Sequence, residues 1–435
     1  RHLRLTIFTA YRVLLSFVLL VNLAGLVRLF TRESFEHLKP EALATWASSN
    51  FLLSILARQD FFINLIFRTA WLVPWWFPLR LRRLISRVYT YGGIHTGAAI
   101  AGTFWFTFFT VLLTIRFVQL NIYIVLTLAV SWSICSLLEV IIVLALPQFR
   151  SHHHNTFEVT HRFLGWACIL LFWTQLVLLT LHTAHTSAIP FAIHLIRQPT
   201  FWNLTLITAM ILLPWLRLRK WTFTPTLLSP HALHLDFPNP VHRFSCLSIS
   251  SSPLREWHAF ATFPSTDPNK PGSSLIVSAA GDWTTSLIVS ASTPSNPNPK
   301  LTFYTKGSPK AGVLSLSCLY PRVVLLTTGS GIGPALSSLL DRPPAQICRL
   351  VWSTRSPLTT FGAGLIAQVE SVDPDAVVID TDELGRPDLV QVAWKCYCEI
   401  GAEAVFVLSN ERVTRRVVYG LESRGVPAFG PIWDS

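Results

Sequence analysis

Six long apolar runs, at residues 5–30, 43–74, 90–115, 120–146, 158–181 and 200–216, fill the first half of the chain. Each approaches the roughly 20 apolar residues that a helix rising 1.5 Å per residue needs to cross a hydrocarbon core of about 30 Å. The sixth is the shortest. The second is interrupted by Arg58, Asp60 and Arg68, so only part of it is expected to span. From Trp221 the pattern changes to short β-type runs at 222–228, 233–237, 244–249, 258–263, 274–278 and 286–289, separated by Pro, Ser and Asn, which predicts a small antiparallel barrel. After Pro321 strand and helix alternate: strand 323–327, turn 329–334, helix 335–340, strand 347–353, helix 365–369, strand 376–380, helix 389–398 and strand 404–409. That rhythm predicts a doubly wound parallel sheet. The expected fold class is multidomain, with an all-α six-helix transmembrane bundle over 1–220, an antiparallel β-barrel over 221–318 and a doubly wound α/β domain over 319–435.

Composition agrees with a divided chain. At 51% hydrophobic and 13% charged, it lies far from the roughly 25% charge of soluble domains, and a purely soluble protein is excluded. The net charge of +12 does not imply nucleic acid, because the basic residues bracket apolar runs instead of forming a stripe among stacking aromatics. Arg1 and Arg4 precede the first run, four arginines crowd 78–87, and Arg217, Arg219 and Lys220 follow the sixth. With six crossings all three clusters share one side, so the positive-inside bias predicts an integral, multi-pass protein with both termini and the soluble half in the cytosol. Seven scattered cysteines give no disulfide framework, and Cys396 and Cys398 lack a second ligand pair. The chain begins at Arg1, not Met, and reads as a processed form or a fragment of something longer.

Histidines at membrane depth are expensive and mark candidate function. His95 lies near the start of the third run and His161 near the start of the fifth. These runs are parallel in a six-span bundle, so the two imidazoles would face each other at similar depth. They either supply both axial ligands of one haem iron or hydrogen-bond neighbouring helices. Gly92, Gly93, Gly97 and Gly165 are expected to leave room for a porphyrin face. A second, stacked haem needs another pair 13 or 14 residues on, about 20 Å along the helix; Phe108, Phe109, Thr174 and Gln175 stand there instead. At most one haem b is expected. His182, His185 and His194 read as a wetted loop, and His152 to His154 as a polar interfacial patch.

In the soluble half, Gly329, Ser330, Gly331, Gly333 and Pro334 join the first strand of the predicted parallel sheet to its helix. Glycines there let backbone N–H groups approach a pyrophosphate at a helix N-terminus. Arg355, just past the second strand, is placed either to pair with a ribose 2′-phosphate or to lie free on the surface.

His258 to Phe260, Gly281 to Thr285 and the Thr328 to Pro334 turn, behind six apolar runs, together resemble the ferric reductase and NADPH oxidase superfamily, with its ferredoxin-reductase-type FAD and nicotinamide unit. The segments 256–262 and 405–435 resemble more closely the fungal TmpA-type transmembrane flavoproteins, a branch also found fused behind adenylate-forming domains. The resemblance implies His258 and Phe260 against a flavin, Thr284 and Thr285 on the FAD pyrophosphate, the glycine turn on NADPH, and Trp433 as an aromatic either covering the flavin or closing the core. Two departures stand out: Ala261 replaces a hydroxyl residue, and Leu408, Ser409 and Asn410 replace a Cys-Gly-Pro segment.

The expected protein is therefore a membrane flavoprotein oxidoreductase passing electrons from NAD(P)H through FAD to a small-molecule acceptor in or across the lipid bilayer, with room for an oligomer or a partner subunit. The alternatives are a reductase-fold scaffold without turnover and the reductase domain of a larger adenylate-forming enzyme.

Overall fold

The computed structural model describes residues 8–187, 189–265, 272–292 and 300–431. Trp433, Arg1 and Arg4 lie outside the described residues.

The first half is helical: α1 (Ala10–Arg32), α2 (Pro40–Leu56), α3 (Asp60–Trp71), α4 (Leu79–Ile85), α5 (Gly92–Leu120), α6 (Val125–Leu144), α7 (Pro147–His152), α8 (His154–Thr186), α9 (Phe191–Arg197) and α10 (Pro199–Leu216). Five of the described helical stretches are long and apolar enough to cross a membrane, or six if the bent pair α2–α3 counts as one span. Phe17, Leu20, Val27, Val143, Leu170 and Leu206 point their large apolar side chains outward. Inside, α1 and α5 meet backbone to backbone. A Cβ on Gly93 would stand 2.3 Å from the Tyr11 carbonyl oxygen, and one on Gly97 would stand 3.0 Å from that of Leu15. Small residues at this four-residue spacing allow such close helix packing. The expectation that these two glycines make room for a porphyrin is thus corrected: they serve helix contact, whereas Gly165 has open space around it. Asn22 on α1 and Asn50 on α2 exchange reciprocal amide hydrogen bonds of 3.0 and 2.7 Å, and Trp105 Nε1 of α5 donates to Asn22 Oδ1 at 2.8 Å.

The second apolar run breaks where its charges fall. α3 turns 63° away from α2, and its buried face, Ile63, Phe67 and Ala70, joins a core shared with the α/β part of the molecule.

The barrel has strands β1 (Arg219–Ser229), β2 (Ala232–Phe237), β3 (Ser245–Ser250), β4 (His258–Pro264), β5 (Ser273–Ser278) and β6 (Leu301–Thr305), with a short β7 (Lys310–Ala311). The ring β1-β2-β5-β4-β3-β6 closes on itself, and every pairing is antiparallel. Closure leaves no unpaired edge in the ring. The strand expected at 286–289 is instead the centre of a helix, α11 (Asp282–Ser292). The local reason is its N-terminus, where the Thr284 hydroxyl accepts from the Ala280 and Gly281 N–H groups at 3.0 Å and donates to the Gly281 carbonyl. Satisfying otherwise orphaned donors starts a helix despite the β-branched run.

Beyond it lie β8 (Arg322–Thr328), α12 (Ile332–Leu340), β9 (Ile347–Thr354), α13 (Pro357–Val372), β10 (Val377–Asp380), α14 (Leu389–Glu399), β11 (Ala404–Leu408), α15 (Glu411–Ser423) and β12 (Ala428–Phe429). The sheet order is β10-β9-β8-β11-β12 with all pairings parallel. This is a doubly wound sheet whose order reverses between β8 and β11.

Candidate functional site

In an open parallel sheet, ligands bind outside the carboxyl ends of the strands where the order reverses. Here that place lies between Thr328 at the end of β8 and Ser409 just past β11. Their hydroxyls hydrogen-bond each other, and Thr327 Oγ1 donates to the Leu408 carbonyl at 3.0 Å. The predicted glycine turn stands beside them. Gly329 has φ +50° with nothing near its missing Cβ, and Ser330 is exposed, so this part of the turn is open to a ligand. Gly331 is a glycine for another reason, since a Cβ there would lie 2.0 Å from Thr327 Oγ1. Gly333 and Pro334 lie in the first turn of α12, where a Cβ on Gly333 would stand 3.7 Å from Ile276 of the barrel. Trp352 donates its indole N–H to the Gly329 carbonyl at 3.0 Å and holds the turn from beneath.

Arg355 is 82% exposed, but its guanidinium pairs with Asp382 at 3.0 Å, and Ser356 Oγ donates to the same carboxylate. These two hydrogen bonds hold the Asp382 carboxyl below the usual range. A 2′-phosphate approaching Arg355 meets a guanidinium that already has an anion.

On the barrel, the His258 imidazole stacks on the Trp283 indole with centroids 4.1 Å apart and an interplanar angle of 17°. Phe260 lies 6.3 Å from the same indole, and Glu256 stands 3.4 Å from His258 Nε2. The structure thus gathers His258, Phe260 and Thr284 at one end of the barrel around Trp283, an aromatic that the sequence showed only as part of a motif. The Thr284 hydroxyl is spent on capping, and Thr285 donates its backbone N–H to the Gly281 carbonyl.

The helical half contributes the pair His95 and His161, on α5 and α8, with ring centroids 6.4 Å apart and planes at 62°. Two imidazole nitrogens, each about 2 Å from a shared metal atom, put their ring centres about 6 Å apart. His95 Nδ1 stands 2.9 Å from the Ser54 carbonyl oxygen. A carbonyl can only accept, so the proton is on Nδ1 and Nε2 carries the lone pair. His161 Nδ1 is buried without a hydrogen-bond partner. Both rings line an apolar cavity of about 170 Å³ between the helices, as does Gly165. The donor set and the open flank at Gly165 fit one bis-imidazole metal group. Phe109 and Gln175 line the same cavity, whereas Thr174 points outward. Among the described residues no group of three His, Cys, Asp or Glu side chains gathers to hold a metal. His182 packs on Tyr123, and His194 hydrogen-bonds Ser187.

The helices and the soluble half are joined by specific polar contacts. Asn64 behaves like one residue of a strand, donating to the Pro309 carbonyl at 2.9 Å and accepting from Ala311 N–H at 3.1 Å. Asp60 accepts from Ser308 N–H at 3.1 Å. Trp75 donates to the Cys318 carbonyl at 2.8 Å. Arg82 reaches Glu403 at 2.6 Å and the Leu319 carbonyl at 3.1 Å, and Arg87 reaches Glu422 at 2.8 Å. Two of the arginines expected only as topology signals are therefore docking residues. Arg162, beside His161, donates to the Leu254 carbonyl in the loop leading to β4. The histidine pair thus lies at the end of the bundle nearest the barrel.

Residues 313–435 match the family model described as adenylate-forming reductase 03009, C-terminal domain. The whole chain is 37% identical over 438 residues to adenylate-forming reductase 03009 of Coprinopsis cinerea, and 37% identical over 437 residues to adenylate-forming reductase 06235 of the same organism. In both alignments 100% of this chain is covered, and it spans 41% of the relative's length. Neither relative is named as a TmpA protein or a ferric reductase, so the similarity found is to adenylate-forming reductases, the fusion that the sequence left open as an alternative. A ferredoxin NADP+ reductase from Neisseria gonorrhoeae, solved with bound FAD and NADP, resembles 50% of this chain and 99% of its own at 14% identity and a TM-score of 0.37. That score is too low to assign a cofactor or a role.

Proposed function

We propose that this chain is a membrane-embedded flavoprotein reductase module of a longer adenylate-forming reductase-like protein, in which NAD(P)H reduces FAD and the electrons pass into the helical bundle. The observation that carries this reading is the shared interface. The sheet with the Gly329 turn and the helices with His95 and His161 are packed into one body, through the core around Ile63 and Phe67 and the buried Arg82–Glu403 pair. Helices that are apolar on every side are either buried in a large core or spanning segments, and the outward-facing Phe17, Leu20 and Leu170 favour spans. The soluble half, with Arg80, Arg83, Arg217 and Arg219 beside it, then lies in the cytosol.

In this reading the Gly329–Pro334 turn receives the nicotinamide nucleotide's pyrophosphate, and His258, Phe260 and Trp283 form the platform for FAD, with Thr285 and the start of α11 near its phosphates. His95 and His161 would hold at most one haem b, which would supply one-electron chemistry that a two-electron nucleotide reaches only through a flavin. Ser54 fixes the His95 tautomer, and the apolar wall keeps water from the pair.

A second reading, a reductase fold kept as a scaffold, is favoured by two observations: the His258 ring is already covered by Trp283, and Arg355 is already paired with Asp382. An absorption spectrum of the detergent-purified chain decides. The reductase reading expects a yellow protein whose flavin band bleaches on anaerobic NADPH, with no more than one haem per chain by pyridine haemochrome. A colourless protein that ignores the nucleotide would establish the scaffold instead.

A further inference from the structure

Gln175 projects from α8 into the apolar cavity, 3% exposed, with neither Nε2 nor Oε1 hydrogen-bonded. Burying an amide without partners is costly, so such a group marks a place where a partner binds. The surrounding wall is mostly apolar, including Phe106, Phe109, Leu138 and Phe172, and a water molecule needs two to four polar partners to settle in such a space. Gln175 lies 14 residues beyond His161, about 21 Å along the helix. It is thus well removed from the histidine pair, toward the other end of a cavity whose lining runs on to Thr183 and Gln198, and level with the α5 position, Phe109, that lies equally far beyond His95.

We infer that this end of the cavity is a binding site for a flat, uncharged, lipid-soluble carbonyl compound of the quinone class. The aromatic wall selects an apolar ring. The amide suits both redox forms of such a ligand, because Nε2–H donates to a quinone carbonyl and Oε1 accepts from a quinol hydroxyl. An anionic ligand is disfavoured, because the cavity lining offers it no Lys or Arg and does include the Glu41 carboxylate. As an electron acceptor, a role that rests on the reductase reading above, the bound quinone takes two electrons and two protons to become the quinol. NAD(P)H gives up its hydride to become NAD(P)+, and solvent supplies the second proton.

The test compares duroquinone with durene, the same tetramethylated ring without the carbonyls, by isothermal titration of the full 435-residue chain in lipid nanodiscs, with empty nanodiscs subtracted. Duroquinone is expected to bind saturably, one per chain, about tenfold more tightly than durene, the factor that one net hydrogen bond supplies. Gln175→Leu should reduce that preference to less than about threefold. Equal binding of the two ligands to the unaltered chain, or a preference that survives Gln175→Leu, overturns the site. The comparison on the unaltered chain needs no variant to fold. A colourless protein that still shows Gln175-dependent binding keeps the site and removes only its role as acceptor. A yellow protein bleached by NADPH but without carbonyl preference removes the site and leaves the reductase.

Discussion

Replacing Arg82 by methionine tests the docking of the two halves at a largely buried ion pair. The Arg82 side chain is 5% exposed and Glu403 is 23% exposed. One guanidinium serves the Phe77 carbonyl at 2.8 Å, the Leu319 carbonyl at 3.1 Å and the Glu403 carboxylate at 2.6 Å, while standing 5.5 Å from the Tyr320 ring centre. Removing one member of a buried pair costs about 3–5 kcal/mol, because the other charge is left without compensation. Glu403 retains some contact with water, which puts the expected loss for Arg82→Met near the lower end, about 3 kcal/mol. Arg82→Lys keeps the charge but loses the fork that reaches both carbonyls, and should lose about 1–2 kcal/mol. The paired change Arg82→Met with Glu403→Leu leaves no orphaned charge and should recover at least half of the loss. Urea titration of the detergent-solubilised chain, followed by tryptophan fluorescence, reads all three. If the single and double variants all fall within about 0.5 kcal/mol of the unaltered chain, the interface described above does not form in solution.

Further outcomes follow from single sites. Burial first, then repulsion from Arg162 and Lys310, lowers the Lys306 ammonium from 10.5 to about 8; between those values the unfolded chain binds more protons, so stability rises with pH. The melting temperature should climb from pH 8 to pH 10, and Lys306→Met, which keeps an apolar stem beside Trp215 and Trp257, should flatten the climb. Gly331→Ala, forcing a methyl to 2.0 Å from Thr327 Oγ1, should destabilise by about 1–3 kcal/mol, and adding Thr327→Ala should return part of it in the same melt. Asp382→Asn releases Arg355 from its ion pair and should lower the KM for NADPH relative to NADH with kcat unchanged; steady-state reduction of an artificial acceptor measures the ratio.

The apolar runs, the barrel strands up to β5 and the alternation after Pro321 were legible because hydrophobic period is a local property. What failed was set by partners distant in sequence. Arg58 and Asp60 announced a break in the second run, but the direction of the bend depends on Ser308 and Lys310, which Asp60 meets nearly 250 positions away. Residues 286–289 have the β-branched composition of a strand, and only the capping by Thr284 and the burial of Leu287 and Ile288 make them helical. Strands β6 and β7 went unread beside a Pro- and Asn-rich stretch. Gly93 and Gly97 looked like space for a ligand, whereas their neighbour is the backbone of α1. Arg82 and Arg87 entered as counts of positive charge, because their carboxylate partners lie more than 300 residues on. His95, His161 and the substitution at Gln175 could be found by spacing along helices; that the Gln175 amide has no partner could not.

The central claim is that nucleotide electrons enter a bundle docked against the reductase half. Anaerobic stopped-flow mixing of the purified chain with NADPH, recording flavin and Soret bands together, addresses it directly. The account predicts that the flavin band bleaches first and that the spectrum of a haem, in chains that carry one, then shifts in the same molecules, with His161→Leu removing the second phase alone. A flavin that bleaches while a bound haem stays oxidised would contradict it.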